Sequence, residues 1–187
     1  MTTVVTIHQP SFLPWMPFFD KVRSADMYVV LSECQYEKNG YQNRFFYRGK
    51  WHTLSVNKGM EPIKNKRYVN PYNDWEKIKL NLPDKAHVLS QFDDLISDNL
   101  LLTNMAVIKR CLRLLNINTA VVLDPVTALT GTDRLVDICR YYGADVYLSG
   151  PSGKSYMDTA LFDRAGIAVR YCDSSDSSSP HVLDVLG

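Results

Sequence analysis

Three stretches of the chain bring together residue types that can bind or transfer a phosphorylated group. The first is His8-Gln9, at the end of the β-branched run Val4-Val5-Thr6-Ile7. An imidazole titrates near neutral pH and can take a proton, and the amide beside it can orient a substrate. The second is Gln42-Asn43-Arg44, with Gln35 and Lys38 before it. A guanidinium presents a planar fork to phosphate or carboxylate. The third is Ser149-Gly150-Pro151-Ser152-Gly153-Lys154-Ser155-Tyr156. A glycine-bearing turn after a strand can point backbone N–H groups and a lysine at an anion. It is not a Walker A motif, because Leu148 stands where that motif needs its first glycine. Each stretch also has a plainer reading: a hydrogen-bonded structural histidine, a polar hairpin edge and an ordinary turn.

The elements that must position these residues follow from pattern. Thr3–Ile7 and Met27–Leu31 read as buried strands, with a short helix between them over Phe18–Ser24. Strand, helix, strand within about thirty residues is a βαβ unit. Between His8 and that helix run three prolines interleaved with aromatics. Each proline fixes its own φ and pushes the residue before it towards extended geometry, so this connection is stiff. Phe45 to Val56 reads as an aromatic β-hairpin with Gly49 in its turn. Residues 57–75 are polar and basic and read as a long loop, followed by short helices from Asp74 to Leu82 and from Leu89 to Ile96.

Over 99–115 the apolar residues Leu101, Met105, Ile108, Leu112 and Leu115 recur at helical spacing. Thr119–Leu123, Asp145–Leu148 and Ile167–Tyr171 are three further strands. A helix capped by Thr132 precedes the second of them and ends at Gly143. The Ser-rich stretch from 173 reads as flexible, and the last residues as a weakly docked end. The expected fold is therefore a single three-layer α/β domain over 1–171, with a mainly parallel, Rossmann-like sheet. An aromatic hairpin and basic loop are inserted at about 32–75, and 172–187 forms a Ser-rich tail. In such a sheet the carboxyl ends of the strands share one edge. His8, Gln35 and the Ser149–Lys154 turn are expected to line a cleft there.

The totals bound the function. The chain has 187 residues, a net charge of +1 and 45% hydrophobic residues. No apolar run reaches the ~18 residues that span a membrane. No basic, then apolar, leader opens the chain, and the four cysteines show no metal-ligand spacing. These features lead to the expectation of a cytoplasmic protein with reduced thiols, no membrane span, no bound metal and no evident cofactor. Cys111 and Cys139 sit among apolar helical positions and read as core residues. No Ser-His-Asp or Cys-His pairing is visible.

The motifs, taken in order, resemble a known family. They are His8-Gln9-Pro10-x-Phe12-Leu13-Pro14-Trp15-x-x-Phe18-Phe19-Asp20-Lys21, then Ala25-Asp26, then Gln35-x-x-Lys38-x-x-x-Gln42-Asn43-Arg44, then Tyr147-Leu148-Ser149-Gly150-x-x-Gly153-Lys154-x-Tyr156. Together they resemble the WbqC-like protein family over residues 4–171. Pro17 stands where that family usually has Gly, and the C-terminal part is shorter than usual.

The resemblance implies a transferase that joins an amino acid, such as glycine, or another amine to an activated, phosphorylated acceptor. Two acceptors fit: pyrophosphorylated 5-hydroxymethyluracil in phage DNA, as in thymine hypermodification, or a nucleotide-linked sugar of O-antigen synthesis. The setting would be a bacterial or phage-infected cell. In this reading His8 is the general base. Lys154, Arg44 and the Ser149, Gly150 and Gly153 backbone hold the leaving group. Gln9, Lys21, Gln35, Lys38, Gln42, Asn43 and Tyr156 bind substrate. Phe12, Trp15 and Tyr41 stack on a base or sugar. Lys58, Lys64, Lys66 and Arg67 would follow a nucleic-acid backbone if DNA is the acceptor. Two alternatives stand beside it. One is a nucleotidyltransferase-like enzyme, although those of the HxGH type need a second histidine that this stretch lacks. The other is a non-catalytic module that binds a phosphorylated ligand or nucleic acid.

Overall fold

The computed structural model describes residues 1–172 and 179–187. In chain order the elements are β1 (Val4–His8), α1 (Met16–Arg23), β2 (Met27–Val30), β3 (Arg44–Tyr47), β4 (Lys50–Thr53), α2 (Pro71–Asn81), α3 (Ala86–Ser90), α4 (Leu100–Leu114), β5 (Ala120–Leu123), α5 (Gly131–Tyr141), β6 (Val146–Ser149), α6 (Thr159–Arg164), β7 (Ala168–Tyr171) and α7 (Val182–Val185). They divide into two compact units. Unit 1 holds Met1–His8, Pro17–Leu31 and Ile117–Ser179, and unit 2 holds Gln9–Met16, Ser32–Asn116 and Pro180–Gly187.

Unit 1 is a five-stranded sheet in the order β5-β2-β1-β6-β7. Every pair in it is parallel, with Ile7 opposite Val29, Val5 opposite Tyr147 and Leu148 opposite Arg170. Helices flank the sheet, which gives the expected Rossmann-like three-layer α/β fold. β1, β2 and β6 are largely buried and read as continuous apolar runs, whereas the edge strands β5 and β7 are partly exposed and are marked instead by their β-branched residues. The core packs Val5, Ile7 and Val29 against Val136, Ile138 and Phe162. The helix before β6 begins one residue earlier than its expected cap. Thr130 is the N-cap and makes no side-chain capping bond, while the Thr132 hydroxyl accepts instead from the Asp158 N–H at 3.2 Å. Gly143 ends that helix at φ +64°, a left-handed conformation that glycine adopts without strain.

Unit 2 holds the antiparallel hairpin β3–β4 and most of the helices. Its core is aromatic. The Phe12 ring lies 5.9–6.3 Å from the rings of Phe45, Tyr68 and Trp75. The apolar stripe of α4 is buried as its spacing predicts, and Asn99 caps the helix by accepting from Leu102 N–H at 3.0 Å. Within that stripe the Asn104 side chain is also fully buried. It donates to the carbonyls of Pro10 (2.7 Å) and Gln42 (2.6 Å) and accepts from the Tyr68 hydroxyl at 2.8 Å.

The sequence reading differs from the structure in three places in this unit. α2 starts at Pro71, three residues before Asp74, because proline is well suited to the first helical position. The stretch over 89–96 is the end of α3 followed by a single 3-10 turn at Asp93–Leu95. The 57–70 segment is tied down by isolated bridges, Val56 to Tyr68 and Arg67 to Asn99, so it is not a free loop. The tail expectation covered 172–187. Its Ser-rich part, 173–178, lies outside the described residues. His181 to Leu183 do not fray: all three are buried, and His181 bridges Trp15.

Candidate functional site

The strand order of unit 1 places a switch point between β1 and β6. From β1 the sheet continues through β2 to β5 on one side and through β6 to β7 on the other. Open parallel sheets bind ligands outside the carboxyl ends of the strands at such a point. His8 ends β1 and Ser149 ends β6, so the two sequence motifs meet at this edge. His8 is exposed, and its ring meets Phe18 edge-on at 5.5 Å. Its carbonyl accepts from Leu31 N–H at 3.0 Å, which holds the strand end.

After β6 the chain makes a 3-10 turn over Pro151–Ser155. Three N–H groups are used within or just after that turn: Gly153 donates to the Gly150 carbonyl, and Tyr156 and Met157 donate to the Gly153 carbonyl. Gly153 permits a close approach, because a Cβ there would stand 2.2 Å from the Ser149 hydroxyl oxygen. The Ser149 side chain is buried. Anion attraction at this turn therefore falls mainly on Lys154, whose Nζ sits 5.1 Å from the centre of the Tyr171 ring at the end of β7. Tyr156 is exposed.

A second ammonium belongs to the same edge. Lys21, on α1, is only 6% exposed, and it has no acidic partner among the described residues. It interacts with the Cys172 thiol, just past β7, and Cys172 N–H donates to the Ser149 carbonyl at 2.8 Å. Burial disfavours its charged form and lowers its pKa from 10.5 to about 8, partly offset by Cys172. Lys21 enters the sequence reading only through the family motif. The signal available was its place two residues after Phe19, on a helix whose Phe18, Phe19 and Val22 are buried.

Other expected site residues belong to unit 2. Gln42 donates its side-chain amide to the Gln9 side-chain oxygen, and Gln9 donates to the Cys34 sulfur at 3.6 Å. The Gln42 side-chain oxygen is buried without a hydrogen-bond partner. Asn43 is buried and braces the unit, accepting from Tyr36 Oη and donating to the Leu54 carbonyl, each at 2.8 Å. The Arg44 guanidinium donates to the carbonyls of Gly40 and Asn39 and lies over the Trp51 ring. Gln35, Lys38, Trp15 and Tyr41 are exposed. Phe12 is 1% exposed and belongs to the aromatic core, so it presents no face for stacking.

The basic segment is less open than its composition suggests. Lys58 and Arg67 are exposed, and Lys64 pairs with Glu33 at 2.7 Å. Lys66 is 1% exposed and turned inward. Its ammonium donates to the carbonyls of Asn57 and Gly59 at 2.7 Å and meets the Tyr36 ring at 4.5 Å, which removes it from any contact with a phosphate backbone. Among the described residues no three His, Cys, Asp or Glu side chains gather to hold a metal ion, and no helix is long and apolar enough to cross a membrane.

Comparison with known proteins fits the motif order. The uncharacterized protein Rv1507c of Mycobacterium tuberculosis is 29% identical, over 90% of this chain and 81% of that protein. Among solved structures, the Zn(II)-bound form of an AdcAII mutant variant of Streptococcus pneumoniae aligns with 98% of this chain and 96% of its own. At 11% identity and a TM-score of 0.26, that likeness bears on neither fold nor ligand. Residues 9–180 match the family described as WbqC-like, and this chain belongs to the WbqC-like protein family.

Proposed function

We propose that the protein is a transferase that joins an amine, such as the amino group of an amino acid, to an activated, phosphorylated acceptor. One observation carries this reading. At the switch point of the sheet an exposed imidazole ends β1, and two lysines without acidic partners among the described residues, Lys21 and Lys154, flank the end of β7. A buried ammonium with no counter-ion is costly unless a ligand supplies the negative charge.

In the reaction, the amine nitrogen attacks the acceptor carbon. The C–N bond forms as the C–O bond to phosphate or pyrophosphate breaks, and the leaving group departs with the bonding pair. Lys154 and Lys21 offset the charge that develops on it. His8 takes the proton that the attacking nitrogen sheds. Family membership supports the two acceptor classes named for it, pyrophosphorylated 5-hydroxymethyluracil in DNA and a nucleotide-linked sugar.

The test incubates the purified chain with glycine and each acceptor in turn, and reads the product by mass spectrometry. The wild type is expected to form a C–N adduct and release pyrophosphate from one of them. Lys154→Ala should lower kcat/KM by roughly 100-fold, with the fold intact by circular dichroism. If neither acceptor yields an adduct although both bind, the protein is a binding module and this reading falls. If product formation is unchanged in His8→Ala, the base is another group.

A further inference from the structure

The two faces of the β3–β4 hairpin differ. Phe45, Tyr47 and His52 on one face are buried. On the other face Phe46 and Trp51 are 49% and 42% exposed, and Tyr41, 58% exposed, packs against Trp51. The Trp51 ring centre lies 5.4 Å from that of Tyr41 and 5.3 Å from that of Phe46. The Arg44 guanidinium carbon sits 3.9 Å above the Trp51 ring centre, held there by the Gly40 and Asn39 carbonyls. The solvent face of an antiparallel pair is ordinarily polar. Here it is an exposed aromatic cluster, with Tyr41 tilted at 51° and Phe46 edge-on at 62° to the Trp51 ring and the Arg44 guanidinium over that ring.

A cavity of about 360 Å³ adjoins Trp51, lined also by Tyr47, Arg48, Lys50, His52 and Leu82. Its volume is at the lower end of the range for small-molecule sites. Its lining carries an unmet demand: His52 is 5% exposed, and its Nε2 has no hydrogen-bond partner. Two exposed cations, Arg48 and Lys50, belong to the same lining. Arg48 pairs with Asp84 at 2.7 Å, and Lys50 pairs with no acid among the described residues.

We propose that this corner of the hairpin binds a nucleotide, with its base stacked on the aromatic group around Trp51 and its phosphate held by Lys50 and Arg48. A planar base extends an Arg–Trp stack on either side, since bases stack on both aromatic rings and guanidinium planes. Lys50, with no acidic partner among the described residues, calls for an anion, which an uncharged sugar does not provide; Arg48 stands beside it, already paired with Asp84. The proposal deepens the transferase reading by assigning a ligand class to unit 2. It is tested by binding without turnover, so the two ideas fail separately.

The full chain is titrated by calorimetry with thymidine 5′-monophosphate, thymidine, ribose 5-phosphate and an eight-residue oligothymidylate. The monophosphate is expected to bind more tightly than either fragment. Trp51→Leu should weaken it by roughly 5- to 150-fold, the range for loss of one stacked base. Lys50→Ala should weaken the monophosphate while leaving thymidine unchanged, and should flatten the salt dependence. Tighter binding of the oligomer identifies a single strand as the source of the nucleotide, and equal binding identifies a free nucleotide. The proposal is overturned if Trp51→Leu, folded by circular dichroism, binds the monophosphate within twofold of the wild type. It is also overturned if ribose 5-phosphate binds as tightly as the monophosphate. A change from dimer to monomer in Trp51→Leu, with nucleotide binding untouched, would make this face an interface between copies. Nucleotide binding as expected in a wild type that forms no adduct from either acceptor would sink the transferase reading alone.

Discussion

Each unit buries one lysine, and the two are treated in opposite ways. Lys66 in unit 2 is 1% exposed, with two backbone carbonyls at 2.7 Å, the Glu61 carboxylate at 3.4 Å and the Tyr36 ring around its ammonium. Lys21 in unit 1 is 6% exposed, and burial is the largest influence on its ammonium. A buried charge whose partners come from its own segment is a fastener. A buried charge held against desolvation, at the ligand-binding edge of a parallel sheet, is poised for an anion from outside. The same residue type thus serves stability in one unit and binding in the other.

The contrast is broken most directly at Lys66. Lys66→Met keeps the stem and removes the ammonium, leaving the Asn57 and Gly59 carbonyls and Glu61 without their donor. Losing hydrogen bonds made by a charged donor costs about 1.5–3 kcal/mol each, and Lys66 makes two of them to carbonyls. The urea midpoint should fall accordingly. A midpoint within error of the wild type would show that Lys66 fastens nothing.

Lys21→Met should do the reverse. The folded pKa of about 8 lies below the ordinary lysine value of 10.5, so the folded state binds its proton more weakly than the unfolded chain does. The cost is fully present below pH 8 and disappears as pH rises to 10.5. That gap corresponds to about 3 kcal/mol. The variant should therefore be more stable than the wild type at pH 7, by up to that amount. The advantage should shrink above pH 8, and ligand binding or turnover should be lost. A variant that is less stable at pH 7 would place Lys21 among the fasteners and erase the comparison.

How much of this was legible in the sequence follows the same division. The five strands of unit 1 are short β-branched or aromatic runs, and parallel pairing fixes which ends share an edge. The sequence alone therefore puts His8 and Ser149 at one edge, where the parallel pairing of β1 and β6 brings them. Unit 2 is held by side chains that reach distant backbone. Asn104 joins Pro10 to Gln42, and Lys66 gathers the carbonyls of Asn57 and Gly59. No periodicity encodes such bonds, because they depend on where loops meet. Residue type also misleads there: Phe12 and Trp51 are both aromatic, yet the first is core and the second is surface. Lys21 was visible as a motif position, but its burial depends on the packing of α1 and β7.

The smallest expected effect sharpens the comparison from the acid side. Three of the four histidines, His52, His87 and His181, belong to unit 2. His181 lies 5.3 Å from the Phe45 ring and 5.1 Å from the Tyr47 ring, and its Nδ1 caps α7 by accepting from Leu183 N–H at 3.2 Å. Burial lowers its pKa from 6.5 to about 4, against an opposing pull from Asp184. The unfolded chain therefore takes up a proton at a pH where the folded unit does not. Stability is lost as pH falls from 6.5 towards 4, by about 2 kcal/mol at pH 5. His181→Asn keeps a capping acceptor and cannot titrate. It should cost some packing at pH 7 and flatten the fall between pH 6.5 and 5, read as hydrogen-exchange protection of β3 and β4. Lys21→Met should leave that acid limb unchanged, because Lys21 is fully protonated in both states there. If His181→Asn keeps the wild-type acid limb, another group sets it, and the neutral imidazole is not what distinguishes the interior of unit 2.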